Sequence, residues 1–180
     1  LRNLKTTYLD SLVIHSPLPT IEETLRVWKT MEGFVDAGQV RYLGISNCYD
    51  LHTLEALYDA ARIKPSFVQN RFYSKSHFDR PLRAYCVDRG IVYQSFWTLT
   101  ANWDFIRNKR GIIHSLAEKY DKTGEQIFFA FIRAIGILPL TGTTSPEHMQ
   151  YDLEVLGNDD MGILSLEDVR AIELGLYSHH

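Results

Sequence analysis

Several apolar runs of this sequence end in polar side chains whose functional groups could take part in binding or catalysis. His15 ends the run LVIH, Ser46 and Asn47 follow YLGI, and Gln69 lies within PSFVQN. An imidazole changes charge near neutral pH, and an amide offers a hydrogen-bond donor and an acceptor together. Without further context, a histidine at a strand end more often hydrogen-bonds to the backbone than takes part in catalysis. A Ser-Asn pair after a strand more often forms a turn than a binding site. Their chemistry therefore depends on the elements that position them.

An alternation of apolar runs with helical patterns must position these side chains. The runs predicted as buried strands are LVIH, VRYLGIS, PSFVQN, IVYQSFW and Ile137–Leu140. Helical patterns separate them at a period of roughly 30 to 40 residues, which specifies parallel βαβ units. The side chains expected at carboxyl ends of strands, pointing into one cleft, are those of His15, Ser46, Asn47, Gln69, Phe96 and Thr143.

Capping signals mark where the helices begin and end. Thr20 with Glu23, and Thr123 with Gln126, have the spacing of a capping box. Pro81 suits the first turn of a helix over Asp79–Arg89. Other predicted boundaries are Gly38 at a helix end, Ser145 before a short helix and Ser165 before the last helix.

Parallel strands separated by single helices form either an open doubly wound sheet or a closed barrel. An open sheet would carry a glycine-rich turn after its first strand, whereas here Ser-Pro-Leu-Pro follows LVIH. A barrel places its chemistry on the loops after the strands, which is where the polar residues collect. We therefore predict an α/β chain of (β/α)8 TIM-barrel type, incomplete because such barrels run to about 250 residues. Five units are present, and the first three are expected to be missing.

Composition limits the classes of protein. The 180 residues are 45% hydrophobic and carry a formal charge of −3, which suits one sizeable core and makes nucleic acid an improbable partner. No apolar run approaches the length that spans a membrane. Cys48 and Cys86 lack metal-ligand spacing, so we expect free thiols, no metal site and a cytoplasmic location. The terminal His179 and His180 are interpreted as tail.

Five motifs in order resemble one family. LVIHSP, QVRYLGISN, PSFVQNRF, GIVYQSFWTL and LPLTGTTSPEHMQYDL are similar to the second half of an aldo-keto reductase, with particular likeness to fungal members. The resemblance implies that residues 1–180 are the carboxyl-terminal portion of a barrel that binds NADPH or NADH and reduces aldehydes and ketones. Of the family's Asp, Tyr, Lys and His tetrad it supplies only His15. The other three would lie upstream of Leu1.

The resemblance also implies the roles of the strand-end residues. His15 would orient the substrate carbonyl as a hydrogen-bond donor, where negative charge develops during reduction. Ser46, Asn47 and Gln69 would bind the nicotinamide carboxamide. Phe96 takes the place of the aromatic ring that stacks on the nicotinamide, and Trp97 replaces a small polar residue. Without the family, Phe96 and Trp97 could simply be barrel core.

The expected contacts to the rest of the cofactor differ from the family pattern. They are Leu99, Gly142, Thr143, Thr144, His148 and Asp152. Gly142-Thr143 and His148 stand where NADPH-preferring members often carry Lys-Ser and Arg, and Asp152 stands where an Asn usually meets adenine. Backbone amides between Gly142 and Ser145 could still bind a phosphate. The choice between NADP(H) and NAD(H) stays open.

Two classes of function follow from the sequence. The first is an oxidoreductase whose catalytic Asp, Tyr and Lys are upstream, so that the 180 residues alone are inactive as a reductase. The second is a truncated reductase-like protein with a binding or scaffold role, or with cofactor-free chemistry on a small molecule. The polar loop Ala101–Arg110, with Trp103 and Phe105, is the candidate lining of a substrate pocket or a surface loop anchored by two aromatics. An incomplete barrel exposes sheet edges, which a homo-oligomer or a missing segment would cover.

Overall fold

The computed structural model describes residues 1–157 and 164–178. The strands are β1 (Leu9–Ile14), β2 (Val40–Ser46), β3 (Phe67–Arg71), β4 (Val92–Phe96) and β5 (Leu138–Pro139). They form one parallel sheet in the order β1-β2-β3-β4-β5. In register, Leu12 lies opposite Leu43, and Ser46 lies opposite Gln69. Because the strands run parallel, their carboxyl ends lie at the same edge of the sheet, as the βαβ pattern predicts.

Helices follow the strands at the predicted places. They are α1 (Ile21–Asp36), α2 (Leu51–Ala60), α3 (Arg80–Arg89), α4 (Trp103–Ile106), α5 (Ile112–Tyr120), α6 (Gly124–Ala134), α7 (Pro146–Leu156) and α8 (Leu166–Ser178). Both capping boxes, at Thr20 and at Thr123, are formed. Gly38 follows α1 with φ 68°, a conformation that glycine adopts without a Cβ penalty. Among the described residues, no helix combines the length and apolar composition that crossing a bilayer needs.

Packing divides the chain into two units. The first unit comprises Leu1–Asn70 and Asp79–Gln94. The second comprises Arg71–Phe78 together with the described residues from Ser95 onward. Each unit has its own buried residues.

In the first unit, β1 to β3 pack against their helices. Leu43, Ile45 and Val68 are fully buried on the strands, as are Leu54 and Leu57 on α2. The strands approach closely because one position lacks a side chain: a Cβ at Gly44 would lie 3.0 Å from both Cβ and O of Phe67. Any larger residue at Gly44 would push β2 and β3 apart.

In the second unit, α6 supplies most of the core. Its residues from Gln126 to Ile132 are all buried, and Phe128 contacts Phe72 with ring centroids 6.5 Å apart. Ile172 and Leu176 of α8 are fully buried as well. The pattern is that of a helix surrounded by protein on every side.

Several boundaries differ from the sequence-based expectations by one or two residues, and three places differ more clearly. The first strand begins at Leu9, earlier than the run LVIH suggests, and His15 follows it. The fifth strand is only Leu138–Pro139, although the Leu140 N–H still donates to the Ser95 carbonyl at 2.7 Å. The segment Ala101–Arg110 is not a plain loop, since it contains the end of a 3-10 turn and the whole of α4.

Candidate functional site

Most residues nominated from the sequence lie at or just beyond carboxyl ends of strands, whereas His148 and Asp152 lie on α7. His15 follows β1, Ser46 ends β2 with Asn47 next, and Gln69 lies in the middle of β3. Phe96 ends β4 with Trp97 next, and the turn from Thr141 follows β5. His15, Ser46, Asn47 and Gln69 belong to the first unit, and the remaining candidates belong to the second. That all their side chains share one cleft stays a prediction.

In the first unit, hydrogen bonds tie four nominated residues into one strand-end cluster, namely His15, Ser46, Asn47 and Gln69. The carbonyl oxygen of Gln69 accepts from Ser46 Oγ at 2.7 Å and from the Asn47 backbone N–H at 3.0 Å. Asn47 Nδ2 donates to the His15 carbonyl at 2.7 Å and, at 3.3 Å, to Ser46 Oγ. The side chain of Asn47 therefore joins the ends of β1 and β2.

The amide groups of this cluster are oriented before any ligand arrives. Asn47 has φ 51°, a left-handed conformation that Asn adopts more readily than most residues. Tyr49 Oη donates to Asn47 Oδ1 at 3.4 Å, and Gln69 Nε2 donates to Gln94 Oε1 at 3.0 Å. His15 is exposed beside them. Fixed amides next to an exposed imidazole can present a donor and an acceptor to a small polar group.

A buried polar network supports the strand-end cluster. Asn70 is fully buried, and its Nδ2 donates to the Cys48 carbonyl at 2.7 Å and to Asp79 Oδ2 at 2.8 Å. Its Oδ1 accepts from the Cys48 N–H at 2.9 Å, and Tyr93 Oη donates to Asp79 Oδ2 at 2.8 Å. Burial, and then the nearby Asp79, raise the pKa of Tyr93 well above its usual range, so its proton stays on the phenol. The network fixes the chain directly after Asn47.

The two cysteines are free thiols and poor nucleophiles. Cys48 and Cys86 are both buried and form no disulfide. Burial is the main cause that raises the pKa of each thiol to about 12, with the charge of Asp79 adding to it. Because the thiolate is the reactive form, neither residue is available for covalent catalysis at neutral pH.

The second unit contains a cavity of about 660 Å³. Its walls come from the segment after β4, the start of α6 and the segment from the end of β5 into α7. Seven of the eight nominated residues of this unit line it, namely Phe96, Trp97, Leu99, Gly142, Thr143, His148 and Asp152. Thr144 is not among the lining residues. Segments that are distant in sequence are thus brought to one concavity of the size that holds a small ligand.

Aromatic rings form one wall of this cavity. Trp97 is 57% exposed, with φ 53°, so it is not part of the core, and that alternative from the sequence is wrong. The guanidinium carbon of Arg71 lies 4.3 Å from the centre of its ring. Phe96 is half-buried beside it. Flat, accessible rings can stack on an aromatic ligand.

The opposite wall is the turn that leads into α7. Thr143 Oγ1 accepts from the Ser145 N–H at 3.1 Å, and Ser145 Oγ accepts from the His148 N–H as the cap of α7. The Thr141 hydroxyl donates to Asp152, one turn before the end of the helix. The turn is therefore held by its own side chains and does not depend on a ligand.

Sequence reasoning missed several lining residues of the cavity. These are Thr98, Thr100, Arg107, Thr123, Glu125, Gln126, Phe129, Leu140 and Tyr151. Of the two aromatics proposed for the substrate pocket, Trp103 lines the cavity, whereas Phe105 packs on Phe128 with centroids 6.3 Å apart. The helical spacing of Trp103 and Arg107 was a usable signal, because residues four apart share a helix face. Arg107 lies over the Trp103 ring, 4.0 Å from its centre.

The parallel sheet, its following helices and the polar strand ends define an α/β chain of TIM-barrel type. The chain belongs to the aldo/keto reductase family, whose sequence profile matches residues 1–172. The NAD/NADP-dependent indole-3-acetaldehyde reductase of Schizosaccharomyces pombe is 29% identical over 182 residues, covering 93% of this chain and 63% of that protein. Five sequence motifs were thus sufficient to predict the family.

Solved structures show the same fold. An aldo-keto reductase, MGS-M4, from a Medee basin deep-sea metagenome library superposes with a TM-score of 0.83 at 24% identity, covering 98% of this chain and 62% of that one. A mutant of Gox0644 in complex with NADPH gives 0.81 at 24% identity, covering 96% and 60%. The chain thus has the fold of five βα units of such a barrel and spans less than two thirds of the length of these relatives.

Proposed function

We propose that this chain binds a nicotinamide adenine dinucleotide and forms the carboxyl-terminal part of a carbonyl reductase site. The observation that carries the proposal is the cavity of the second unit, where seven residues nominated for cofactor contact line one concavity. Two relatives support it, since the Schizosaccharomyces pombe protein is an NAD/NADP-dependent indole-3-acetaldehyde reductase and the Gox0644 mutant was solved in complex with NADPH.

The residues present fit such a cofactor. A volume of about 660 Å³ suits a bulky ligand, and the rings of Phe96, Trp97 and Trp103 suit flat heterocycles. The guanidinium of Arg107 also lines the cavity and can attract a phosphate. We assign the cavity to the phosphate and adenosine portion, with Phe96 against the nicotinamide. Ser46, Asn47 and Gln69 of the strand-end cluster are assigned to the carboxamide.

His15 is assigned to the substrate. Its exposed imidazole can donate a hydrogen bond to a carbonyl oxygen and stabilise the negative charge that develops there. The bond between Asn47 and the His15 carbonyl fixes the backbone that carries this ring. A bound reduced nicotinamide would supply the hydride for such a reaction. The substrate class proposed is small aldehydes and ketones.

The proposed reaction needs three groups that this sequence does not place at matching positions. The family's Asp, Tyr and Lys have no counterparts aligned with them in the 180 residues. Tyr49 and Tyr73 follow strands, but no lysine in the sequence matches the family motif beside either of them. We therefore expect the 180 residues to bind the nucleotide while reducing carbonyls about 10² to 10⁴ times more slowly than with a proton donor in place.

Both cysteines are free, buried thiols, which supports a reducing compartment. We therefore propose the cytoplasm as the location of the protein. We further propose that residues 1–180 are one portion of a single reductase domain, although packing separates them into two units. A scaffold role without the nucleotide is the alternative that the binding experiment decides.

The test is titration of the folded 180-residue chain with NADH and with NADPH, followed by quenching of its three tryptophans. Trp97 and Trp103 line the cavity, so a bound nucleotide should quench their emission with a saturable curve. Circular dichroism of the same sample establishes that it is folded. Absence of saturable quenching by either nucleotide would remove the cofactor assignment. Substantial turnover of an aldehyde panel, lost in His15→Ala, would contradict the expected inactivity.

A further inference from the structure

The charged side chains that line the cavity are mostly negative. They are Arg107, Glu125 and Asp152, so one guanidinium stands against two carboxylates. Glu125 lies in the first turn of α6, where the partial positive charge of the helix stabilises its carboxylate. A ligand that adds negative charge to this lining meets repulsion that a less charged ligand avoids.

Asp152 is held against the turn that begins with Thr141. It is half-buried on α7 and lines the cavity. The Thr141 hydroxyl donates to Oδ2 of Asp152. Oδ1 of the same carboxylate can accept another hydrogen bond, because an ionised carboxylate offers about four acceptor sites. A ligand hydroxyl beside the turn therefore finds an oriented acceptor.

Positive charge is confined to the other wall. Arg107 follows α4, and its guanidinium carbon lies 4.0 Å from the centre of the Trp103 ring. Among the described lining residues between Leu140 and Asp152, none is a lysine or an arginine. Gly142 has open space around it, and His148 is exposed. The turn therefore offers an acceptor in Asp152 but, among its described lining residues, no fixed cation.

We infer that the cavity selects the dinucleotide without a 2′-phosphate, because the described residues of its turn offer no fixed cation and the carboxylate of Asp152 repels a further negative charge. The inference rests on the proposed function and adds the identity of the nucleotide. A 2′-phosphate carries close to two negative charges, whereas a free 2′-hydroxyl carries none, so the repulsion acts on the phosphate alone.

Calorimetric titration of the folded chain with NADH and NADPH at one ionic strength measures the selection. We expect NADH to bind about tenfold more tightly, which corresponds to about 1.4 kcal/mol. Equal affinity, or tighter binding of NADPH, would overturn the inference. Constant ionic strength matters because screening weakens the repulsion.

Variants test whether Asp152 causes the preference for NADH over NADPH. Asp152→Asn should reduce the preference for NADH severalfold by strengthening NADPH binding, and His148→Arg should reduce it further by adding a cation. Glu118→Gln is the matched control, because it removes one negative charge from an exposed position of α5 outside the cavity lining. An unchanged preference in Asp152→Asn contradicts the assignment. If circular dichroism shows that Asp152→Asn is unfolded, Glu125→Gln tests the charge argument, with a smaller loss of preference expected and an unchanged preference contradicting it.

A second pair of ligands separates this inference from the proposed function. Adenosine 5′-monophosphate and adenosine 2′,5′-bisphosphate differ only in the 2′-phosphate, and neither contains nicotinamide. We expect the monophosphate to bind more tightly. If it does so while NADH fails to bind, the nicotinamide assignment is wrong and the selection stands. Equal binding of the two adenosine ligands contradicts the selection, and no binding of any of the four nucleotides contradicts both.

Discussion

The candidate site residues of the two units differ in how firmly the surrounding protein holds them. In the strand-end cluster of the first unit, Asn47 and Ser46 are bonded to backbone carbonyls, and Asn70 behind them is fully buried. In the second unit, Trp97 is 57% exposed and His148 is exposed on the cavity wall. The first set therefore contributes to stability, and under the proposed function to binding as well. The second set should be removable with little effect on stability.

The largest effect on stability is expected for Asn70→Ala in the first unit. The change removes three hydrogen bonds, two to the Cys48 backbone and one to Asp79, all of them buried. Leaving such groups without this partner should lower the free energy of unfolding by about 2 to 4 kcal/mol. Urea unfolding measures it, with Asn3→Ala as the exposed control. A loss below that of the control would show that the network does not stabilise the unit.

Asn47→Ala should affect stability and binding together. Its Nδ2 links to the His15 carbonyl and its own backbone lies in the left-handed region, so we expect a loss of about 1 kcal/mol in unfolding free energy. Nucleotide affinity should fall by about 1 to 3 kcal/mol, because the proposed hydrogen-bond partner of the carboxamide is lost. Calorimetry and urea unfolding on the same preparation measure the two quantities. A loss of stability with unchanged nucleotide affinity would show that Asn47 is structural and does not bind the carboxamide.

Trp97→Ala should separate binding from stability. An exposed ring contributes little to the core, so the unfolding midpoint should change little, whereas nucleotide affinity should fall about tenfold through lost stacking. Calorimetry is the suitable readout, since fluorescence would lose one of its reporters. Phe34→Ala, an exposed aromatic of α1, is the control. A change in stability without a change in nucleotide affinity would show that Trp97 is structural, which contradicts the proposed difference between the two units.

The cap of α8 should make the stability of the second unit depend on pH. Hydrogen bonds from Tyr120, then from Ser165 and Lys119, hold the pKa of Asp168 well below its usual 3.8. A carboxyl whose pKa is lowered by folding stabilises the native state above its unfolded pKa, and this contribution is lost as the pH falls. We therefore expect stability to decline below about pH 4, with a smaller decline in Asp168→Asn.

Urea unfolding from about pH 2 to about pH 6 measures this dependence. Glu167→Gln, an exposed neighbour in the first turn of α8, is the matched control and should keep the decline of the unchanged chain. An Asp168→Asn variant with the same pH slope as the unchanged chain would show that the cap contributes nothing.

The sequence predicted most of the fold because its signals are local. Capping boxes at Thr20 and Thr123, and an uninterrupted run over Val40–Ser46, depend on residues within a few positions of each other. The short motifs at strand ends likewise predicted the family and seven of the cavity residues. A βαβ pattern then leaves little freedom in the order of the strands.

The remaining features depend on contacts between distant residues. Asp79 has the position of a helix cap, yet its carboxylate accepts from Asn70 and Tyr93, which lie 9 and 14 positions away. Arg107 looks like part of a polar loop until α4 turns it toward the cavity lining. Local sequence patterns do not predict which side chains will contact each other when they are far apart in the sequence. The exposure of Trp97 has the same origin, because an aromatic after a strand is usually buried.

The measurement that tests the central claim most directly is amide hydrogen exchange of the folded chain with and without NADH. If the cavity binds the nucleotide, exchange should slow in the segments 96–107 and 141–152, and at residues 46 and 47, while α8 of the second unit and α1 of the first stay unchanged. Slower exchange confined to other segments, or no change at a saturating concentration, would contradict the assignment of this cavity to the cofactor.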